Sequence, residues 1–319
     1  MLGALLITSL SLLVLSRGLK PQTHGQAGAP PTSTPSALSS PTASASSGDG
    51  YAFTKRLYTA SSRDLVHWST VTGLMDGCDT PQFTWIDRRL FLYFNTKAGF
   101  QRAEVIRDSR GQCTLGTRQD LFMTTPSQRG GTDPSVTRLP SGEYRLFYTE
   151  PQGSTGVDPA EVTCEVCSAL SIDGLIWKSE TGPRFTGQGI VDPEVVRTPD
   201  GRFRLYYTGH AGTQVRSAIS NDGTKYVAEP GVRVWGGVSS TVRSLDGSYV
   251  MLYQIRIGKR EGRDPPAHLR LARSSDGFHF RPDLRFQPPP APVASEGEEA
   301  GSLAQTPEGE WLLVFVSAI

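Results

Sequence analysis

The sequence predicts an all-β fold, a five-bladed β-propeller closed by pairing of N- and C-terminal strands. Three observations lead to this prediction. Five stretches share one sequence plan, and four further stretches share a second plan. In addition, the last unit has only two strands, and a leftover strand pair on the N-terminal side could complete it. Such regular repetition indicates an architecture built from copies of one unit.

The first plan is a small or acidic start, an alternating strand, a turn, and a strand rich in Tyr, Phe and Leu. Its copies are "DTPQFTWIDRRLFLYFNT" from Asp79, "DPSVTRLPSGEYRLFYTE" from Asp133, "DPEVVRTPDGRFRLYYTG" from Asp192, "VSSTVRSLDGSYVMLYQI" from Val238 and "GSLAQTPEGEWLLVFVSA" from Gly301. The second plan, a strand, a polar turn and an aromatic residue, reads "YTASSRDLVHW", "CSALSIDGLIW", "RSAISNDGTKY" and "RLARSSDGFHF". The Asp-Gly pairs provide the positive φ that tight hairpins require.

Together the two plans describe a four-stranded meander of roughly 45–60 residues, the size of a propeller blade. The leftover strands "AFTKRLYTASS" and "HWSTV" are expected to complete the fifth blade. We therefore expect 52–62 to pair beside the strand at 311–316. A β-sandwich would use similar strands but gives no reason for five matching units.

Composition and the N-terminal segment indicate an exported protein. Lys and Arg total 32 against 31 Asp and Glu, a net charge of +1, which disfavours nucleic-acid binding. Residues 1–20 contain an apolar run, 4–15, typical of a signal peptide, with a retained membrane anchor as the alternative. Residues 21–50, rich in Pro, Ser, Thr and Ala, are expected to form a disordered linker. The propeller is expected to occupy 51–319, as a monomer in a secreted, periplasmic or membrane-tethered location.

The four cysteines, at 78, 113, 164 and 167, are interpreted as structural thiols or disulfides. Cys164 and Cys167 form a CxxC, but no second CxxC exists to complete a zinc site. No cofactor is expected, and a structural calcium ion has no signal in the sequence.

Acidic residues recur where inner strands are expected to begin. In a propeller the first strand of each blade lines the central channel, so Asp79, Asp133 and Asp192 should converge in one funnel. Residues two apart in a strand share a face, which would place Asp192 and Glu194 one above the other. Clustered carboxylates suit glycoside cleavage, in which a carboxylic acid protonates the leaving oxygen and a carboxylate acts opposite it. The alternative is that each Asp-Pro only caps a strand.

The Asp-Pro starts and the "S.DG..W" turns resemble glycoside hydrolase families 43, 32 and 130, across about 51–319. The resemblance implies that Asp79 of "CDTPQF" is the base or nucleophile and Asp192 of "VDPEVV" the supporting acid. The glutamic acid expected on the next blade is missing from "VWGGVSSTV". Either Glu194 or Asp133 takes that role, or the hydrolytic machinery is incomplete. Glu299 of "SEGEEAG" is a further candidate for the acid. The alternative is that this stretch is only a solvated loop.

Several other residues are candidates for contact with a sugar or a phosphate group. Trp85 and Trp235 could stack on sugar faces, and Arg216 and Arg243 could hold phosphate. Trp68 and Trp177 recur at one repeat position and are expected to pack between blades, with Trp311 in the core. The leading hypothesis is an exported glycosidase that uses Asp79, Asp133, Asp192 and Glu194. The alternatives are a non-catalytic carbohydrate-binding propeller and a phosphorolytic relative.

Overall fold

A computed structural model describes residues 55–124, 131–152, 162–209, 212–256, 266–290 and 297–318. The expected signal peptide or anchor and the expected linker lie outside these residues. Within them the chain forms 24 β-strands and no helix. Accordingly, no described helix is long and apolar enough to cross a membrane.

The strands follow one another in six groups. The first pair is β1 (Lys55–Ser62) and β2 (Thr72–Asp76). The next group is β3 (Cys78–Ile86), β4 (Arg89–Thr96), β5 (Gly99–Arg107), β6 (Cys113–Leu115) and β7 (Gln119–Asp120). Then come β8 (Phe122–Met123), β9 (Thr132–Arg138), β10 (Tyr144–Gln152), β11 (Thr163–Ser171), β12 (Ile176–Ser179) and β13 (Phe185–Gln188). The fourth group is β14 (Val191–Arg197), β15 (Phe203–Gly209), β16 (Gln214–Ser220), β17 (Val227–Ala228) and β18 (Val234–Trp235). The last two groups are β19 (Gly237–Arg243), β20 (Tyr249–Arg256), β21 (Ala267–Ser274) and β22 (Arg281–Pro282), followed by β23 (Glu299–Gln305) and β24 (Trp311–Ala318).

These strands form five blades arranged in a ring, and all of their pairings are antiparallel except that of β8 with β12. The inner strands are β3, β9, β14, β19 and β23, and each contacts the inner strands of both neighbouring blades, with β23 returning to β3. The blades are called one to five in that order. The five-bladed propeller predicted from the repeats is confirmed.

The ring closes in blade five, where strands from both ends of the chain pair. Its strand order is β2-β1-β24-β23, and β1 runs antiparallel to β24 from Lys55 opposite Ala318 to Ser62 opposite Trp311. The predicted closure is therefore confirmed. The outer strand was placed too early, because β2 begins at Thr72 and Trp68 makes only an isolated bridge with Ser62.

The second repeat forms one hydrogen-bonded turn in four blades. In each, a serine hydroxyl and the aspartate two residues later accept hydrogen bonds from the backbone N–H groups of the turn. The pairs are Ser62 with Asp64, Ser171 with Asp173, Ser220 with Asp222 and Ser274 with Asp276. The residue three positions after each serine adopts positive φ. It is Leu65 in the first turn and glycine in the others.

Neighbouring blades are joined through these turns. The Tyr93 hydroxyl of blade one donates to the carbonyl of Gly174 in blade two at 2.8 Å, and Arg102 donates to the carbonyl of Asp173 at 2.6 Å. Trp177 is fully buried with its ring edge-on to Tyr93. Trp177 therefore packs between blades as predicted.

The other structural predictions concern Trp68, Trp311 and the cysteines. Trp68 contacts Phe286, which follows blade four, and Trp311 is 5% exposed in the core. None of the four cysteines forms a disulfide, so the interpretation as thiols holds and the disulfide alternative does not. Burial raises the pKa of Cys78 to about 12, which leaves its thiol protonated.

Candidate active site

The start of every inner strand carries a β-bulge. Register shifts occur between Asp79 and Gln82 in β3, between Val191 and Glu194 in β14, and at the matching points of the other three inner strands. Non-glycine residues with positive φ lie at four of these bulges: Thr80 (44°), Asp133 (59°), Asp192 (53°) and Ala300 (37°). A bulge adds one residue to one strand and re-aims the side chains beside it.

The bulges correct the predicted alignment of the acids. Asp133 and Asp192 occupy the positive-φ position, but in blade one that position belongs to Thr80, and Asp79 precedes it. Asp79 therefore matches Glu299 of blade five, which precedes Ala300 in the same way. Because Thr80 and Ala300 share the conformation, the positive φ belongs to the fold and not to the acid. Asp tolerates it better than most residues because its short polar side chain can bond locally.

Two residues after the positive-φ position, and at the matching point of blade four, each blade presents a polar side chain that binds the next blade. Each of these side chains accepts a hydrogen bond from a backbone N–H of the next blade. The donor is the residue that directly follows the matching polar residue of that blade. The acceptors are Gln82, Ser135, Glu194, Ser240 and Ser302, and their donors are Val136, Val195, Thr241, Leu303 and Phe83. We call these five acceptors the inter-blade ring.

Glu194 is the only acid in the inter-blade ring. It is 8% exposed, and its Oε2 accepts hydrogen bonds from Gln82 Nε2 at 2.5 Å and from the Ser135 hydroxyl at 3.4 Å. Burial raises the pKa of Glu194 to about 8, against the opposing effect of these hydrogen bonds. Its carboxyl group, on blade three, thus contacts blade one through Gln82, blade two through Ser135 and blade four through the N–H of Thr241.

Asp133 and Asp192 form a directly coupled pair at the end of the channel where the inner strands begin, which we call the mouth. Asp133 Oδ2 accepts hydrogen bonds from the Thr132 hydroxyl at 2.9 Å and from the backbone N–H of Asp192 at 3.3 Å. Burial raises the pKa of Asp133, and these two hydrogen bonds oppose that rise. Burial and then the charge of Asp133 raise the pKa of Asp192 well above its ordinary value. The charge on either aspartate therefore disfavours ionisation of the other.

Asp79 lies close enough to this pair for its charge to raise the pKa of both partners. Its two oxygens are engaged separately: Oδ1 accepts from the N–H of Thr80 at 2.8 Å, and Oδ2 is 2.9 Å from Lys55 Nζ. Lys55 Nζ also lies 2.7 Å from Glu299 Oε2, and Arg256 is 3.1 Å from the other oxygen of Glu299. The solvated loop suggested for Glu299 is wrong, because the residue begins β23 and is ion-paired.

Asp133, Asp192 and Glu194 share one small cavity. It has a volume of about 40 Å³ and is lined by Thr80, Pro81, Gln82, Asp133, Pro134, Asp192, Pro193, Glu194, Gln254 and Ala300. Asp192 and Glu194 both line it, as expected, although the bulge interrupts the regular alternation on which that expectation rested. A volume of this size holds only a few water molecules.

Two of the four sequence-predicted binding residues lie on the mouth side. Trp235 is 68% exposed and pairs with Gln214, two residues before β19 begins. Arg216 donates from Nε and Nη2 to Oε1 of the same Gln214, at 2.9 and 2.7 Å. Neither lines the cavity, so both remain candidates for contact with a larger ligand above it.

The structure does not bring Trp85 and Arg243 to the acids. Each lies three residues beyond its member of the inter-blade ring, about 10 Å further along the strand, toward the far end of the channel. Trp85 is 37% exposed there, and Arg243 lies beside the turn at Gly247. Trp85 lies six residues after Asp79, and Arg243 ends β19, so neither shares the level of the acids.

Sequence reasoning missed Lys55, Gln82 and Gln254. Gln82 had a usable signal, because aligning Pro81 with Pro193 places it at the position of Glu194. The pairing of β1 with β24 brings Lys55 to the mouth, and the repeats alone do not determine the register of that pairing. Among the described residues, no group of three or more His, Cys, Asp and Glu side chains is arranged to hold a metal ion.

Comparison with known proteins identifies the class of fold. No protein-family model and no curated protein matches the sequence. A thermostable family-43 glycoside hydrolase is similar in structure, with a TM-score of 0.52 and 14% identity over 75% of this chain and 88% of that one. A structure from a study of GH130 mannoside phosphorylases and glycoside hydrolases gives a TM-score of 0.50 and 12% identity over 76% and 84%.

A third similar structure is an N-acetylgalactosamine deacetylase from F. plautii in complex with blood group B trisaccharide. Its TM-score is 0.52, with 14% identity over 79% of this chain and 82% of that one. The chain therefore shares the five-bladed propeller fold of these structures. Because one such neighbour is a deacetylase, the fold leaves the reaction to be argued from the site.

Proposed function

We propose that this propeller hydrolyses a glycosidic bond at the channel mouth, with Asp192 as the general acid. The single observation that carries the proposal is the pair of neighbouring, half-buried aspartates at the mouth, in which the pKa of Asp192 is raised well above its ordinary value. A glycosidase needs an acid that stays protonated near neutral pH beside a carboxylate that does not. The charge of Asp133 and burial together raise the pKa of Asp192 in the direction this role requires.

Asp79 is the best candidate for the opposing carboxylate. Its contact with Lys55 and its hydrogen bond from the N–H of Thr80 hold its carboxyl group in a fixed orientation at the mouth. It would act on the sugar directly or through a water molecule. Asp133 would act through Asp192, by keeping the proton on that neighbour.

This assignment differs from the one that the family resemblance implies. Asp192, expected there as the supporting acid, becomes the proton donor, and Asp133 becomes its support. Glu194 is the weaker candidate for the acid because its carboxyl group is occupied by Gln82, Ser135 and the N–H of Thr241. The fourth blade contributes Ser240 at the position that matches Glu194. This assignment takes its acids from blades one to three and requires none from blade four.

The small cavity implies where the substrate lies. Its volume of about 40 Å³ admits no sugar ring, so the saccharide would rest above it with only the scissile bond near the acids. Trp235 offers an exposed aromatic face on that side of the propeller. Aromatic rings stack on the apolar faces of sugars, so the Trp235→Ala variant should raise KM more than it lowers kcat.

The test is release of reducing sugar from a panel of plant, fungal and bacterial polysaccharides and oligosaccharides. The wild-type protein is expected to cleave at least one, and Asp192→Asn to lose at least ~100-fold in kcat while its circular dichroism spectrum and thermal midpoint stay close to wild type. Binding without cleavage across the panel would favour the carbohydrate-binding alternative. Release of sugar phosphate only when inorganic phosphate is present would favour phosphorolysis.

A further inference from the structure

Lys55 lies where the closing strand β1 reaches the channel mouth. Its ammonium nitrogen is 2.9 Å from Asp79 Oδ2 of blade one and 2.7 Å from Glu299 Oε2 of blade five. The two carboxylates occupy the same position before the bulges of adjacent inner strands. The ammonium group of Lys55 thus bridges blade one and blade five.

The bridge leaves every oxygen of both carboxylates engaged. The second oxygen of Asp79 accepts from the N–H of Thr80 at 2.8 Å, and the second oxygen of Glu299 is 3.1 Å from Arg256 Nη1. The side chains of Lys55, Asp79 and Glu299 are each less than 20% exposed, so water screens these contacts less than at an open surface. A carboxylate held at both oxygens has little freedom to rotate.

The charges around Asp79 make Lys55 the contact that decides its orientation. Asp133 on β9 and Asp192 on β14 lie near it as like charges, and Arg256 on β20 is directed to Glu299. Burial lowers the pKa of Lys55, but the charges of Asp79 and Glu299 outweigh burial and raise it. Lys55 therefore remains charged across the range in which the acids titrate.

We propose that Lys55 is a positioning residue that clamps Asp79 to Glu299, so that the closing strand completes the acid site as well as the ring. The clamp follows from the contacts alone, whereas its catalytic consequence rests on the proposed function. Lys55 touches neither the cavity nor the scissile bond in this account and acts only through Asp79.

The clamp can be tested without any substrate, by carbodiimide coupling of carboxylates to glycinamide followed by peptide mass spectrometry. Lys55→Met should raise the labelling rate of Asp79 and Glu299 several-fold. The matched control is Arg56→Met on the same strand, which removes an exposed cation paired with Asp76 and should raise labelling at Asp76 alone. If Lys55→Met is unstable, Lys55→Gln removes the charge but keeps a polar group beside the two carboxylates, and it carries the same expectation. Unchanged labelling of Asp79 in a folded Lys55 variant would overturn the clamp.

The catalytic part is read from kinetics on whichever glycoside the wild type cleaves. Lys55→Met should lower kcat by roughly 10- to 100-fold with KM within about two-fold, because misplacing a reacting group costs rate more than binding. Lys55→Arg should restore part of kcat, and Arg56→Met should leave both constants unchanged. A variant that melts earlier but keeps its kcat would show that Lys55 only stabilises the fold. If the wild type cleaves no glycoside, the proposed function fails, and the labelling result still decides the clamp.

Discussion

Glu194 gives the sharpest prediction about stability, because it is a buried acid in the inter-blade ring. Its pKa rises from 4.5 to about 8 in the folded protein, mainly through burial. At about 1.4 kcal/mol for each pH unit, that interval corresponds to at most about 5 kcal/mol. The Glu194→Gln variant keeps the shape of the side chain and removes this titration.

The sign follows from which state holds the proton. Between about pH 4.5 and pH 8 the unfolded chain releases the proton of Glu194 while the folded chain retains it. The free energy of unfolding contributed by this group therefore falls as pH rises through that window, and no longer changes above about pH 8. In Glu194→Gln this contribution is absent, so its stability should depend less steeply on pH.

The assay is urea unfolding at pH 5, 6, 7 and 8 for both proteins. The difference in free energy of unfolding, variant minus wild type, should increase by several kcal/mol from pH 5 to pH 8, whatever constant offset the amide introduces. Asp133 and Asp192 titrate in both proteins and largely cancel in the difference. Glu104→Gln is the control, because ion pairing with Arg89 lowers the pKa of Glu104 and confines its effect to lower pH. Parallel curves for wild type and Glu194→Gln would refute the assignment of a buried, protonated Glu194.

Three further predictions concern the fold. Trp177→Ala should lower the free energy of unfolding by about 3–5 kcal/mol in urea titration, because the ring is fully buried between blades; a loss under about 1 kcal/mol would contradict that. Gly277→Ala should destabilise more than Gly309→Ala, although both have positive φ, because only at 277 does an added Cβ come within 2.9 Å of a tyrosine of the preceding blade; equal thermal midpoints would be inconsistent with this packing. Removing residues 1–50 should leave a soluble propeller with an unchanged thermal midpoint, and aggregation of that fragment would argue against the linker.

The architecture could be predicted because the repeats carry it locally. Alternating strands, turns with positive φ and recurring aromatic residues mark each blade without knowledge of distant contacts. Ring closure also followed, since a leftover pair and an incomplete unit complete one blade. The boundary of β2 was missed because Trp68 resembles the aromatic residue that follows the other turns, yet here the strand starts at Thr72.

The site could be predicted only in part, because bulges and closure decide it. Asp79 precedes the positive-φ position that Asp133 occupies in its own blade, which an alignment on the acids cannot show but an alignment on the prolines can. Lys55 meets Glu299 across 244 positions of sequence, a contact that depends on the register of β1 against β24. The depth of Arg243 in the channel likewise required the strand register.

The most direct test of the central claim is whether Asp192 delivers the proton to the leaving group. It compares aryl glycosides of the sugar that the wild type cleaves, one with a dinitrophenol leaving group that needs no protonation and one with a poor phenol leaving group. Asp192→Asn should lose at least ~100-fold in kcat/KM on the poor leaving group and less than about ten-fold on dinitrophenol. Asp79→Asn should lose rate on both. An equal loss on the two substrates in Asp192→Asn would contradict the account.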